Sequence, residues 1–352
     1  MLAAYVSGHG FGHAIRLFAV LRAVRARSPG LAIAITGGAP GWLVRRDVPG
    51  PVELRPHACD VGLAQRDALH VDEAETAARC RAFEADWDAR VAREAGFLRR
   101  AGARAVLADV PALAFAAAAR AGVPALGLAN FSWDWIYAHL SRRQPSLAAS
   151  AARAAEAYGT AALLLELPFA AGLSAFPRRA AVGLVARRPR LARDEARRRL
   201  GLDGRRTVLV SFGGIGLPGL RPEALRAGAG PGYRFVFPEE VAEERLASLG
   251  LEYPDVIGAV DAIVTKPGYG IVSDAIGAGT RLVYTERGDF PEYDVLVAGM
   301  PRHLACVHVS NADLAAGRLA EPLARVLAMP VPPPPDLGGA ARAAERILAA
   351  IG

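Results

Sequence analysis

Residues 1–16 read MLAAYVSGHGFGHAIR. The run 2–7 is short and rich in small and apolar residues, Gly8, Gly10 and Gly12 interrupt it, and Ile15, Phe18, Val20 and Leu21 then supply the apolar positions of a helix. Strand, glycine loop and helix in this order open a parallel α/β sheet, whose ligands bind at the carboxyl ends of the strands. Glycines there let backbone approach a ligand closely, and the helix N-terminus favours anions and developing negative charge.

The alternation continues along the chain. Strands are predicted at 2–7, 31–36, 52–55, 105–108, 125–128 and 162–167, with helices beginning near Gly12, Glu73, Pro111 and Leu147. After a Pro- and Arg-rich stretch at 168–190 the pattern restarts, with strands at 207–211, 234–237, 262–265 and 281–285. A first α/β domain is therefore placed at 1–180 and a second at 181–330. The proline run 330–336 reads as a stiff connector, followed by one last helix over 337–351, so that 331–352 forms a connector and a final helix.

A chain of 352 residues exceeds one comfortable core and suits two domains with a cleft between them. Although 52% of the residues are hydrophobic, no apolar run of about 18 escapes a charge, Arg120 and Glu166 interrupting the longest candidates, so no integral membrane segment is expected. No secretory leader is visible, and the expected location is the cytoplasm. Cys59, Cys80 and Cys306 are far apart and read as reduced packing residues. The net charge of +7 comes from arginines scattered along helical segments such as 192–200, which suits solvated faces and not a nucleic-acid site. Among 42 Lys and Arg residues one is lysine, Lys266, and the two cations are not interchangeable.

The opening glycines match only the start of a dinucleotide fingerprint. No third spaced glycine follows, and the second strand runs into Thr36-Gly37-Gly38 without an acidic residue, so no nicotinamide or flavin cofactor is expected. His9 and His13 stand four apart but lack the Glu and third ligand of a helical zinc motif, so no metal is expected either. His13 is open to two readings, a general base at the helix start or a capping and packing residue. Asp109, in LADVP, either orients His13 or contacts an acceptor, or caps the next helix. The cluster Phe131-Ser132-Trp133-Asp134-Trp135 offers rings for stacking or for core packing, and Asn130 beside it is one of two asparagines in the chain. The DWD at 86–88 mimics a metal-binding pair but lies in an amphipathic helical stretch over 73–98, where it reads as a solvated face.

In the second domain TVLVSF runs into Gly213-Gly214-Ile215-Gly216, a loop suited to phosphate. The stretch 261–300 carries more. A strand ends in Thr265-Lys266-Pro267-Gly268-Tyr269-Gly270, a helix begins near Ile271, and Asp274 lies about a turn in. An ammonium and a helix N-terminus then meet a diphosphate, and the carboxylate meets ribose hydroxyls.

That segment resembles the donor-binding motif of GT-B glycosyltransferases, distantly including the peptidoglycan N-acetylglucosaminyl transferase group. Together SGHGFGHAIR, ADVPALAFAAAARAGVPALGLANFSWDWIY and TKPGYGIVSDAI resemble the glycosyltransferase-like half of plant L-arabinokinases and its stand-alone bacterial relatives. The resemblance implies two Rossmann-like parallel-sheet domains facing across a cleft, with the last helix crossing back to the first. It implies metal-independent transfer of a sugar from a nucleoside diphosphate donor, expected to be a UDP-sugar, to an acceptor over the first domain. His13 falls at the family's first-loop histidine; within that frame Asp109 is expected as its catalytic partner, and His9, Gly10, Phe11, Asn130, Trp133 and Asp134 are expected on the acceptor side. Gly213, Gly214, Lys266, Gly268, Tyr269, Gly270 and Ser273 fall on the donor side. Asp274 stands where the family has a ribose-binding Glu, one methylene longer, and Glu292 falls near the donor sugar. A nucleotide-sugar epimerase or hydrolase on the same fold, and a non-catalytic nucleotide-sugar-binding module, are the competing readings.

Overall fold

The computed structural model describes residues 1–352 apart from Gly214, Ile215 and Pro218. The first sheet is built from β1 (Leu2–Val6), β2 (Ile33–Gly37), β3 (Glu53–Arg55), β4 (Ala105–Asp109), β5 (Ala125–Ala129), β6 (Leu163–Glu166) and β7 (Arg179–Ala181). All pair in parallel, in the order β3-β2-β1-β4-β5-β6-β7. β1, β2, β4 and β5 are buried along their whole length, as parallel strands covered on both faces must be, which explains why they read as unbroken apolar runs.

The chain leaves β1 toward β2 and β3, then returns to lay β4 on the other side of β1. Connections therefore diverge at the carboxyl ends of β1 and β4, the topological switch point where open α/β sheets hold ligands. Register pairs Val6 with Asp109 there, so the glycine loop and Asp109 leave the sheet side by side.

The second sheet contains β8 (Arg206–Ser211), β9 (Tyr233–Val236), β10 (Ala262–Thr265), β11 (Arg281–Tyr284) and β12 (Cys306–His308) in the order β12-β11-β10-β8-β9, again all parallel. Its switch point lies between β8 and β10, where Ser211 pairs with Thr265 and the loops beginning at Phe212 and Lys266 leave together.

The chain forms two compact units. One comprises Met1–Gln65, Val71–Val185 and Asp336–Gly352, and the other Arg66–His70 and Ala186–Pro335. The boundary falls at 185/186, five residues beyond the sequence estimate, and the five residues Arg66–His70 join the second unit although the chain on both sides of them belongs to the first. The last helix, Gly339–Ile351, returns to the first unit and packs on the helix Phe11–Arg27 through buried Ala343, Ala344 and Ile347.

The stretch 73–98 is two helices, Glu73–Glu84 and Trp87–Arg100, not one. The first is capped by the Asp72 carboxylate, which accepts from Glu75 N at 3.0 Å. Asp86 is the N-cap of the second helix and Asp88 lies in its first turn, and Asp86 pairs with Arg90 on the surface. Cys59 and Cys80 are free thiols in the core, and Cys306 is a half-buried one.

Candidate functional site

In the first unit the loop after β1 turns at Gly10, whose φ of +72° suits glycine, and the helix Phe11–Arg27 places His13 and Arg16 one turn apart on the same face. Both are buried, and both reach Asp109, which has no solvent exposure. His13 Nδ1 lies 2.7 Å from Asp109 Oδ1. Arg16 donates through Nη2 to Oδ1 at 2.5 Å and through Nε to Oδ2, and through Nη1 to Asn130 Oδ1 at 2.5 Å. Asn130 follows β5, so three strand ends supply one hydrogen-bonded quartet.

Burial acts to raise the Asp109 carboxyl, but the charge of Arg16 together with the hydrogen bonds from Arg16 and His13 outweighs it and holds the group below the usual carboxylate range. An ionised carboxylate accepts only, so Nδ1 of His13 carries the proton and donates. With Nδ1 donating to Asp109, the Arg16 Nη2 that lies 3.1 Å from it is a donor facing a donor and not a hydrogen bond, and Nε2 is the nitrogen with a lone pair for an incoming hydroxyl.

Asp60, half-buried and not anticipated from the sequence, accepts from Gly8 N at 3.2 Å and from Trp133 Nε1 at 3.0 Å. Loss of solvent pushes its carboxyl up. His9 shapes the loop, its Nδ1 accepting from Leu63 N at 3.2 Å. Gly62 lies against the same ring at φ +62°, where an added Cβ would come within 2.6 Å of His9 Cβ. The imidazole of His13 is boxed by Phe131 and Trp133, with ring centroids 5.7 and 5.9 Å away.

This box corrects the stacking reading of Trp133. The ring is 1% exposed and part of the core, held by its bond to Asp60 and by stacking on Tyr137. Asp134, half-buried in the first turn of the helix Trp133–Leu140, has its carboxyl raised by burial, and its Oδ1 has no hydrogen-bond partner among the described residues. The exposed rings are instead Phe11 and Trp42, at 44% and 41%, in edge-on contact with centroids 6.2 Å apart. Nothing in the sequence singled out Trp42.

In the second unit Gly213 is exposed with φ +76° and open space where a side chain would stand, whereas Gly214 lies outside the described residues. After β10, Gly268 is the N-cap of the helix Tyr269–Ala278, whose first amides, those of Tyr269 and Gly270 among them, have no intrahelical acceptor. Ser273 is buried in its second turn, and its Oγ has no hydrogen-bond partner among the described residues. Lys266 is half-buried and donates to Ala68 O at 2.6 Å. Burial, reinforced by the charge of Arg287, pushes its ammonium down to about 8. Arg287 in turn pairs with buried Glu292 at 2.9 Å and stacks over Phe290.

Asp274 departs from its expected role. It is the sixth residue of its helix, it is buried, and its carboxylate accepts from Arg187 N at 2.9 Å, Nε at 3.0 Å and Nη2 at 2.6 Å. Both oxygens are thus committed to the start of the second unit, and the ribose assignment is replaced by a structural ion pair. Arg187 was hidden among the arginines of 168–190.

No family model matches the chain. It is 31% identical over 349 residues to an L-arabinokinase of Arabidopsis thaliana, a match that spans 94% of this chain and 32% of that protein's length. Among solved structures, the glycosyltransferase of kitacinnamycin superposes with a TM-score of 0.65 at 17% identity, covering 100% of this chain and 99% of that one. A UDP-glucosyltransferase from Polygonum tinctorium capable of glucosylating indoxyl gives 0.63 at 14%, covering 99% and 98%. The calicheamicin glycosyltransferase CalG4 gives 0.60 at 18%, covering 100% and 98%. The chain therefore has the GT-B fold of these glycosyltransferases and is similar in sequence to a third of a plant L-arabinokinase.

Proposed function

We propose that this protein transfers a sugar from a nucleoside diphosphate, a UDP-sugar in the first instance, to a hydroxyl of an acceptor, with His13 as general base. The observation that carries the reading is the 2.7 Å contact between His13 Nδ1 and buried Asp109, with Arg16 fixing the carboxylate and Asn130 holding Arg16. A hydroxyl is a poor nucleophile until its proton has somewhere to go, and the Nε2 lone pair of His13 can take it. Asp109 fixes the ring's tautomer and orientation and stabilises the imidazolium formed as the proton arrives at Nε2. The exposed Phe11–Trp42 pair gives the acceptor an apolar surface on the same unit.

On the second unit the diphosphate is met by Lys266, the amides at the start of the helix Tyr269–Ala278 and the open glycine at 213. Cationic side chains and helix amides supply the charge compensation that this reading asks for, so the transfer is written without a metal. The fold shared with UDP-sugar-binding transferases supports the donor class, and the similarity to an L-arabinokinase supports a carbohydrate setting.

The test is His13→Ala. Incubated with a panel of nucleotide-sugars and hydroxylated acceptors, the parent protein releases nucleoside diphosphate with formation of a glycoside, and the variant loses turnover by about 10² to 10⁴. Donor affinity, which belongs to the other unit, stays within about twofold. Full turnover in the variant removes the base and leaves the loop a binding element.

A further inference from the structure

Residues 65–71 form a small hairpin. Gln65 and Val71 make an antiparallel bridge, Arg66 N donates to His70 O at 2.9 Å, and the Asp67 carboxylate accepts from the amides of Leu69 and His70 at 2.7 and 3.0 Å. The turn is thus closed on itself before it meets anything else. Its tip, Arg66–His70, belongs to the second unit. Ala68 has no exposed surface and packs in that unit's core with Phe212, Val210 and Val264, its amide donating to Gly216 O at 3.2 Å. Its carbonyl takes the ammonium of Lys266 at 2.6 Å.

The tip therefore touches both loops at the β8/β10 switch point, the glycine loop through Gly216 and the post-β10 loop through Lys266. A neutral carbonyl is a weak partner for an ammonium that could meet a phosphate oxygen, because hydrogen bonds between two ionised groups are shorter and stronger. Burial beside Arg287 leaves that ammonium poorly solvated, and the nearby carboxylates of Glu292 and Asp67 offset this only in part, so an anion bonded to it directly relieves a cost that the carbonyl does not.

The geometry points to the Arg66–His70 tip as a built-in plug of the anion site: its Ala68 carbonyl occupies the Lys266 ammonium, and a diphosphate that binds there displaces it. This rests on the donor assignment above only for the identity of the anion's carrier. A ligand that must displace an internal competitor binds more weakly than it would to the open site, by the fraction of molecules in which the plug is out.

Hydrogen exchange on the intact protein tests this with UDP and with inorganic pyrophosphate as probes. Saturation with either is expected to speed exchange of the Ala68 amide, whose acceptor is lost when the tip leaves. Protection or no change at saturation overturns the plug, as does failure of both probes to bind. If pyrophosphate binds and speeds exchange while UDP does not bind, the plug stands and the nucleotide-sugar reading fails. In calorimetry Asp67→Ala, which removes the acceptor closing the turn, is expected to tighten pyrophosphate binding roughly tenfold, the scale of one charged hydrogen bond no longer in competition. Asp67→Asn separates lost charge from lost turn, since it keeps an acceptor at the same place and is expected to recover most of the parent affinity. Weaker binding in Asp67→Ala, or equal gains in both variants, refutes the competition.

Discussion

Replacing Asp109 with Asn keeps the shape of the quartet and removes its only negative charge. Asp109 has no exposure and Arg16 has 4%, so the substitution leaves a guanidinium buried without its counter-charge. Removing one partner of a buried pair costs about 3–5 kcal/mol. Asn130 Oδ1 still accepts from Arg16 Nη1 at 2.5 Å, which puts the expected loss at the lower end, about 3 kcal/mol. For a unit of about 200 residues each kcal/mol shifts the melting temperature by about 2–4 °C, so calorimetry should find a fall of roughly 6–12 °C. Turnover should fall by about 10² to 10⁴, since the imidazolium loses the anion that stabilises it, while diphosphate affinity holds. The pH dependence follows from the sign of the shift. Asp109 titrates lower in the folded chain than the usual carboxylate value near 3.9, so its contribution is complete above that pH and is lost as pH falls through the lower folded value. The stability gap between parent and variant must then narrow below about pH 4. A variant that melts within about 2 °C of the parent and turns over normally would show that the quartet neither holds the unit together nor orients His13.

Lys266→Ala should weaken binding of UDP or pyrophosphate by about 10- to 100-fold in calorimetry. Binding to the parent should weaken as pH rises through about 8, where Lys266 loses its proton, and this limb should be absent from the variant. Asp274→Asn should destabilise the second unit by about 3 kcal/mol in thermal unfolding, because Arg187 loses its partner, with no change in preference for ribose over deoxyribose ligands. Trp42→Ala should leave the melting temperature nearly unchanged, within about 0.5 kcal/mol, and raise the acceptor KM without changing donor affinity.

The inner strands of both sheets and both glycine loops were legible because a strand buried on two faces is an apolar run whatever surrounds it, and a glycine loop after such a run marks its carboxyl end; the three-residue edge strands β7 and β12, largely uncovered, carry no such run and were missed. Asp109 was legible for the same reason, as the last residue of a strand. What brings it to His13 across 96 positions is strand order, β4 returning to lie beside β1, and no local pattern encodes that return. The break at Ala85–Asp86 was missed because both helices carry scattered apolar residues that run on across it. Arg16 stood in plain view three residues after His13, yet in a chain where nearly every cation is arginine its residue type carried no information. Lys266 is the converse case. An arginine could have served on a solvated face, but a guanidinium stays charged wherever it is buried. An ammonium titrating near 8 holds its charge more loosely, and it reaches a single carbonyl as a point donor without the fork that a guanidinium would have to satisfy. Rarity marked the position, and only the fold supplies its partner, a carbonyl 198 residues earlier in the chain that an arriving phosphate would have to displace.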